Sequence, residues 1–226
     1  MCGRFVLTTP AQAIAEAFGV DPDFDLAPRY NVAPGQRIAV VRASEPPGAR
    51  RLDLLRWGLV PSWSREAPRA AGLINARSDT ASTKPAFRAA FRQRRCLVPA
   101  SGFYEWQTPP GGGRKQPWLF TLRGAGPFAM AGLWECWRPP EGPPLESCTI
   151  LTTEPNELVA PIHDRMPVLL PEEAWAEWLD PGARDPDRLG AMLAPYPAER
   201  MATRTVSTWV NDARHDDPRC IAPPAG

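Results

Sequence analysis

Short apolar runs alternate along the chain with segments rich in proline and glycine. Their β-branched and aromatic content is typical of strands, and they predict strands at 38–42, 53–58, 96–99, 103–106, 118–123, 128–134, 148–153 and 167–170. Helical spacing predicts helices at 11–18, 84–94 and 172–179, the first with Thr9 as its cap and Pro10 in its first turn. Because strands dominate, we predict an α+β domain: a curved, partly closed, barrel-like mixed sheet with short peripheral helices.

The length of 226 residues suits a single domain over 1–226 with a full hydrophobic core. The Pro-Gly segments at 109–113 and 139–144 predict surface loops of hairpins rather than domain boundaries. No apolar run is long enough to cross a bilayer, and no signal peptide is visible. We therefore expect a monomeric cytoplasmic protein, associated with the nucleoid, that has no membrane partner.

The cysteines are odd in number and lie far apart, and no two of them form a C-x-x-C pair. This pattern predicts reduced thiols rather than a disulfide framework, and neither a metal site nor a cofactor. Four of the five are expected to be small buried hydrophobic residues. The set is Cys2, Cys96, Cys136, Cys148 and Cys220.

The net charge of +1 hides an asymmetry along the chain. Residues 1–125 carry 18 Lys and Arg against 9 Asp and Glu, whereas residues 126–226 carry 8 against 16. A basic half that also carries aromatic residues favours a polyanionic partner, and the acidic half opposes indiscriminate binding. A GC-rich genome would explain the preference for Arg over Lys equally well.

The second residue, Cys2, follows Met1 directly and is small enough for the initiator methionine to be removed. Removal of Met1, which we expect, leaves Cys2 with both a free α-amine and a thiol. These groups titrate near ~8 and ~8.5, so a fraction of each is nucleophilic at neutral pH. The amine can condense with an aldehyde to an imine, and the sulfur can then close a thiazolidine ring. A chance Met-Cys start is the alternative.

Polar residues stand out in four apolar stretches. In an extended segment Asn75 and Arg77 share one face, so the amide can orient a carbonyl or amine and the guanidinium can take a phosphate. Glu105 lies between aromatic residues, which predicts a raised pKa suited to proton transfer. His163 lies in a proline-bounded loop and can act as an acid or base. Trp63, in a proline-flanked loop, can stack on bases.

Each of these positions has a structural alternative. Asn75 can occupy a turn beside a solvated Arg77, and Glu105 can be an edge-strand carboxylate paired with an arginine. His163 can be a structural hydrogen-bonding residue. The other histidine, His215, is expected to be solvated and without a role.

Together these stretches resemble the SOS-response-associated peptidase (SRAP) family, whose members crosslink themselves to abasic sites in single-stranded DNA. The matching segments are MCGRF at 1–5, RYNVAPG at 29–35, WGLVPSW at 57–63, NAR at 75–77, 95–106, GLWE at 132–135, TT at 152–153, 163–168 and the tail 206–218. They span nearly the full length, and their order and spacing carry the resemblance. Departures lie in loops, chiefly at 109–113 and 136–147.

The resemblance implies roles for the matching residues. Cys2 corresponds to the crosslinking nucleophile, with Asn75, Glu105 and His163 as the other active-site residues. Arg4 and Arg77 correspond to phosphate contacts, with Arg165 as a further candidate, and Trp63 to an aromatic loop that meets the bases. The implied partner is single-stranded DNA with an abasic site, and the implied activity is crosslinking together with autopeptidase removal of Met1.

Three other interpretations stay open on the sequence alone. An N-terminal-nucleophile amidohydrolase also begins Met-Cys-Gly, but it needs an Asn-Gly oxyanion element and a second domain, neither of which is visible. A thiol peptidase would use Cys2 and His163. A non-catalytic single-strand-binding module would use the basic half and its tryptophans, and leaves Cys2, Glu105 and His163 unexplained together.

Overall fold

The structure is a computed structural model that describes residues 2–66, 71–124 and 126–224. Thirteen strands and five α-helices form in this part of the chain. The strands are β1 (Phe5–Leu7), β2 (Arg29–Val32), β3 (Arg37–Ala43), β4 (Arg50–Trp57), β5 (Asn75–Arg77), β6 (Arg95–Ala100), β7 (Gly102–Gln107), β8 (Gln116–Leu122), β9 (Phe128–Trp137), β10 (Leu145–Thr153), β11 (Met166–Pro167), β12 (Leu169–Leu170) and β13 (Met201–Thr205).

Five strands close into a barrel. Going round it, β3 pairs with β4 and with β6, β6 pairs with β9, and β9 pairs with β10, all antiparallel. Closure comes from a parallel pairing of β10 with β4, in which Cys148 lies opposite Trp57. The short strand β5 adds to β10 in parallel, and β11 and β12 pair with β10 and β9. The predicted barrel-like mixed sheet is confirmed, and the ring closes completely.

A second sheet is open and antiparallel, in the order β13-β8-β7-β1-β2. Its centre brings the N-terminus against β7, because Phe5 lies opposite Phe103 on one side and Val32 on the other. The loops at 109–113 and 139–144 connect the hairpins β7–β8 and β9–β10, as predicted. Strand β1 thus carries Cys2 toward the strand that contains Glu105.

The core lies inside the barrel and between the barrel and the open sheet. Phe5 from the open sheet meets Trp57 from the barrel edge to face, with ring centroids 5.4 Å apart. The Trp57 indole N–H donates to the Ile74 carbonyl at 2.8 Å, so this buried tryptophan satisfies its one polar atom. Cysteines also contribute to the core, since Cys2, Cys96, Cys148 and Cys220 are buried and Cys136 is half-buried.

Helices are short and peripheral, as predicted, but their bounds differ from the sequence expectation. Helix α1 (Ala11–Phe18) agrees, whereas the predicted helix 84–94 is only α3 (Arg88–Gln93). The stretch 172–179 divides into a 3₁₀ turn (Glu172–Ala174) and α4 (Trp175–Leu179), and α2 (Ser78–Ala81) and α5 (Pro186–Ala191) were not predicted. Thr9 does not cap α1: its hydroxyl lies 2.9 Å from that of Ser101, and Pro10 occupies the cap position.

Gly58 ends β4 in a conformation that other residues rarely adopt, with φ of 131°. A Cβ at this position would lie 1.4 Å from the Ala71 carbonyl oxygen. The Gly58 N–H donates to the Cys148 carbonyl at 2.9 Å, beside the closure of the barrel. The glycine therefore lets the chain leave the barrel and return through Leu59 and Leu73, which form an antiparallel bridge.

Candidate active site

Glu105 lies on β7 with 2% of its surface exposed. Burial raises the pKa of its carboxyl group from an ordinary 4.5 to about 7, because the charged form loses its hydration. The sequence prediction of a raised pKa is therefore confirmed. A carboxyl group with a pKa near neutrality can both donate and accept a proton at physiological pH.

His163 faces Glu105 from the loop between β10 and β11, with His163 Nε2 3.8 Å from Glu105 Oε2. The Arg165 backbone N–H donates to His163 Nδ1 at 3.0 Å, which places the ring proton on Nε2. Asp164 Oδ1 also lies 2.9 Å from Nδ1, but that side chain is 88% exposed and screened by water. Burial lowers the pKa of His163, so the neutral ring directs its N–H toward the carboxyl group.

The loop that carries His163 is held by a buried side chain that sequence reasoning missed. Asn156 Oδ1 accepts the backbone N–H groups of Leu158 and Val159, at 3.1 and 3.0 Å. Its Nδ2 donates to the Tyr196 carbonyl at 2.7 Å. The His163 N–H in turn donates to the Val159 carbonyl at 3.0 Å. The turn therefore holds His163 in place, as the bounding prolines suggested. The hydrogen bonds that stabilise the turn come from Asn156.

Asn75 contacts Cys2 directly. Asn75 lies on β5, where Ile150 of β10 is its partner, and its Nδ2 donates to the Cys2 carbonyl at 2.9 Å. The Cys2 side chain is fully buried, and its Sγ lies 3.9 Å from the Arg4 carbonyl oxygen. Burial, and then the charge of Glu105, raise the pKa of the thiol. The thiol is therefore protonated at neutral pH.

An open cavity of about 470 Å³ lies at this point. Its walls consist of Glu105 and His163 together with five further side chains, those of Arg4, Pro34, Trp106, Lys115 and Asn211. Gly3, the neighbour of Cys2, also lines it. Of the four predicted active-site residues, Glu105 and His163 line this cavity. Cys2 and Asn75 are not part of its lining: Cys2 adjoins it through Gly3, and Asn75 is joined to Cys2 by the hydrogen bond to the Cys2 carbonyl.

Arg4 is the one predicted DNA-contact residue that lies in this cavity wall. Its Nη1 donates to Asn31 Oδ1 at 2.9 Å and to the Val210 carbonyl at 3.0 Å, and its guanidinium lies 5.7 Å from the Trp106 ring. Burial lowers its pKa, but an arginine keeps its charge at any physiological pH. The structure therefore holds a fixed positive charge beside Glu105 and His163.

The other three predicted contact residues lie outside the cavity wall. Arg77 is exposed at the end of β5 and forms an ion pair with Asp79 at 2.6 Å. Arg165 donates to the Thr152 carbonyl, and Thr152 is the residue of β10 that lies opposite Arg77. Trp63 is 67% exposed in the loop after β4. Arg77 and Arg165 are therefore near each other at Thr152, and none of the three residues is part of the cavity lining.

The C-terminal tail supplies a wall of the site that sequence reasoning did not assign. Buried Asn31 donates through Nδ2 to the carbonyls of Val210, Asp212 and His215. The Trp106 indole N–H donates to Asn211 Oδ1 at 2.7 Å. In the sequence, the only indication of this wall was the resemblance of the tail at 206–218 to the family.

His215 is not the solvated residue that the sequence predicted. Its ring stacks on Trp209 with centroids 3.5 Å apart, and its Nδ1 lies 2.8 Å from the Trp209 carbonyl oxygen. In the part of the chain that the structure describes, no three His, Cys, Asp or Glu side chains cluster as metal ligands would. No described helix is long and apolar enough to cross a membrane.

The closed barrel, the open sheet and the N-terminal cavity define a family. Residues 1–213 match the model of the SOS response associated peptidase (SRAP) family, and the chain belongs to this family. The resemblance carried by the sequence motifs is thereby confirmed.

Named relatives and a solved structure agree with this assignment. The abasic site processing protein YoqW of Bacillus subtilis is 44% identical over 224 residues, which cover 98% of this chain and 99% of that protein. The abasic site processing protein HMCES of Gallus gallus is 38% identical, over 87% of this chain and 66% of that protein. A crystal structure of a protein from Bacteroides thetaiotaomicron has a TM-score of 0.87 at 26% identity, covering 98% of this chain and 99% of that one.

Proposed function

We propose that this protein traps abasic sites in single-stranded DNA as a covalent thiazolidine, formed by the α-amine and the thiol of Cys2 after Met1 is removed. The crosslink shields the site during the response to DNA damage. The observation that carries the proposal is that Glu105 and His163 face each other in the wall of an open cavity that Cys2 adjoins through Gly3. Asn75 holds the Cys2 carbonyl, and the charge of Glu105 acts on the Cys2 thiol. The names of the relatives, which are abasic site processing proteins, support the choice of substrate.

The reaction begins with the deoxyribose, which must open before it can react. The ionised fraction of Glu105 takes the proton from the anomeric hydroxyl while His163 Nε2–H donates a hydrogen bond to the ring oxygen. The ring C–O bond breaks, the same proton passes from Glu105 to the released oxygen, and the sugar becomes an aldehyde. The Cys2 amine adds to the aldehyde carbon to give a carbinolamine. Glu105, whose pKa of about 7 leaves it partly protonated, donates a proton to the departing hydroxyl, which leaves as water. The iminium ion that results gives its N–H proton back to the Glu105 carboxylate and becomes the imine.

Ring closure completes the trap. The Cys2 sulfur bonds to the imine carbon, and the thiol proton is transferred through Glu105 to the imine nitrogen, so that the nitrogen becomes a secondary amine. The protonated thiol that burial favours supplies this proton. Asn75 holds the Cys2 carbonyl at 2.9 Å and so fixes both nucleophiles relative to Glu105. Closure consumes the imine before β-elimination can cut the strand.

DNA binding in this proposal uses the cations around the cavity. Arg4 takes a phosphate beside the abasic sugar, and Arg77 and Arg165 take phosphates along the strand. Trp63, with 67% of its surface exposed, stacks on a neighbouring base. An abasic sugar carries no base, so the cavity can accommodate it more easily than it can accommodate a complete nucleotide.

Removal of Met1 is required because an amide nitrogen cannot form the imine. We propose that the same site removes Met1 in an autopeptidase step, for which Glu105 and His163 supply the proton transfers. A general thiol peptidase fits less well, because burial disfavours the thiolate that such an enzyme needs.

The test mixes purified protein with a single-stranded oligonucleotide that carries one abasic site, followed by a denaturing gel. We expect a heat-stable shifted band for the mature protein, and no band for Cys2→Ala or for a protein with an extra residue before Cys2. Cys136→Ala is the matched control, since Cys136 is half-buried and distant in sequence from the site, and it should crosslink normally.

Two results would contradict the proposal. One is a mature protein with free Cys2 that gives no stable band. The other is a Cys2→Ser variant that gives the same heat-stable band, because serine forms the imine without the thiazolidine. A protein that binds the oligonucleotide but never crosslinks would instead be a non-catalytic binding module.

A further inference from the structure

Lys115 is a cation in the cavity wall that has no role in the chemistry described above. It lines the cavity together with Arg4, Glu105 and His163, and it is one of two lysines in the chain, the other being Lys84. Its positive charge lowers the pKa of both Glu105 and His163, which places its ammonium group within electrostatic reach of them. Among the described residues its side chain forms no hydrogen bond or ion pair.

The backbone at Lys115 is held firmly although the loop before it is open. Gly111, Gly112 and Gly113 all have positive φ angles, which suit a loop without side-chain packing. Directly after them, Asn211 Nδ2 donates to the Lys115 carbonyl at 3.3 Å, and Gln116 Nε2 donates to the Val206 carbonyl at 2.9 Å. The tail therefore fixes the backbone from which the exposed ammonium group extends over the cavity.

The two cations of the wall differ in what they have left to offer. Arg4 uses Nη1 for Asn31 and Val210, so its position is set by the protein. Lys115 keeps all three ammonium donors for a ligand, on a long flexible side chain that can follow a moving group. A cavity that already holds two acid–base groups and two cations is suited to an anionic ligand.

We propose that Lys115 is a DNA-contact residue that binds the backbone phosphate next to the abasic sugar, opposite the phosphate taken by Arg4. This inference rests on the proposed function and names a further binding residue of the same site. Occupation of Lys115 by a phosphate offsets its positive charge. The charge that favours ionised Glu105 in the empty site is then cancelled, so DNA binding itself promotes the protonated carboxyl group that imine formation needs.

The test measures binding separately from chemistry. The probe is a fluorescent single-stranded oligonucleotide with one tetrahydrofuran residue, an abasic analogue that has no aldehyde. We expect Lys115→Ala to weaken binding about three- to tenfold at low salt and to reduce the slope of log K against log salt by about 0.7, the value for one lost phosphate contact on a single strand. Lys115→Arg should retain most of the affinity, and Lys84→Ala should behave as wild type.

The second measurement is the pH dependence of the crosslinking rate, which would stay unchanged if Lys115 had only a structural role. Removing the Lys115 charge raises the pKa of Glu105, so the pH at which crosslinking is fastest should move upward in Lys115→Ala. Unchanged affinity and salt slope in Lys115→Ala would overturn the inference, even if wild type crosslinks abasic DNA normally. A Lys115-dependent affinity in a protein that never crosslinks would leave the phosphate site standing and remove the proposed chemistry. Failure of wild type to bind the probe would overturn both.

Discussion

The Glu105 carboxyl group links the stability of the fold to the chemistry of the site. Its pKa rises from 4.5 to about 7 on folding, so the folded state binds the proton more tightly than the unfolded state. The resulting stabilisation is fully present below pH 4.5 and is lost as the pH rises through about 7. A functional residue thus costs stability at the pH at which it acts.

Glu105→Gln should remove this pH dependence, because glutamine does not titrate. Between pH 5 and pH 8, wild type should lose up to roughly 3 kcal/mol of unfolding free energy that the variant does not lose. Urea unfolding at several pH values measures the difference. Glu141→Gln, in an exposed loop, is the control and should follow wild type; a Glu105→Gln curve parallel to wild type would contradict the buried, raised pKa.

The same substitution should change the pH dependence of crosslinking. In wild type the reaction needs a neutral Cys2 amine, with a pKa near ~8, and a protonated Glu105, with a pKa of about 7. The rate should therefore pass through a maximum between these two values and decline at higher pH, where Glu105 is increasingly ionised. In Glu105→Gln the declining limb should disappear, and the rate should fall about 10²- to 10⁴-fold. Single-turnover crosslinking measured from pH 5 to 9 tests this. A declining limb that persists in the variant would assign it to another group.

At the scale of the element, short segments depend on contacts that their own residues do not specify. The predicted strands agree with the structure to within a few residues wherever an apolar run crosses the barrel. Strands β1, β2, β5 and β13 were not predicted as strands, because each is short and gains its ladder from partners distant in sequence. The helices α2 and α5 are a single turn or little more, too short for a periodic pattern to be visible.

Gly58 shows how one backbone conformation joins elements. Gly58→Ala should destabilise the protein by several kcal/mol, because a Cβ would collide with the Ala71 carbonyl oxygen and φ is 131°. Thermal unfolding measures the loss. Gly190→Ala is the matched control, since a Cβ there meets nothing within 4 Å in helix α5, and it should be neutral or stabilising. Equal effects in both variants would refute the steric argument.

The C-terminal tail is attached to β2 through Asp216 as well as through the Asn31 side chain. This carboxylate accepts the backbone N–H groups of Tyr30 and Asn31 and pairs with the Arg29 guanidinium. Asp216→Ala should lower the unfolding free energy by about 1–3 kcal/mol, because two N–H donors lose their acceptor. It should also slow crosslinking, since Asn211 and Val210 hold the cavity wall. Asp25→Ala, exposed in a loop, is the control; a tail that keeps its protease resistance in Asp216→Ala would contradict this role.

At the scale of the whole molecule, the basic and acidic halves of the sequence do not form separate lobes. Both sheets contain strands from both halves, since β9 and β10 pair with strands of the first half in the barrel and β13 pairs with β8 at the edge of the open sheet. Ion pairs also join the halves: Arg29 with Asp216, Arg42 with Glu146, and Arg94 with Glu135. Much of the positive charge is therefore neutralised internally. The positive charge that remains available to a polyanion lies around the cavity and at the end of β5.

DNA binding should accordingly show a moderate dependence on salt. Three phosphate contacts by Arg4, Arg77 and Arg165 predict a slope of about −2 for log K against log salt, so a fourfold rise in salt should weaken binding roughly twentyfold. Lys115 would add about one further contact. Fluorescence anisotropy with the tetrahydrofuran oligonucleotide at several salt concentrations measures the slope. A slope near zero would exclude phosphate contacts as the source of affinity.

The sequence by itself determined the apolar strands, the sheet-dominated fold class and the residues capable of the chemistry. The burial of a strand can be predicted from its own residues, because a run of apolar residues is removed from water in any stable fold. Likewise, the aromatic residues on either side of Glu105 in the sequence predict that its carboxyl group is removed from water. Closure of the barrel, the 3.8 Å approach of His163 to Glu105 and the contribution of Lys115 and Asn211 to the cavity came only from the tertiary structure. Those features join residues as far apart as Arg4 and Asn211, and contacts over such separations depend on how all the intervening strands pair.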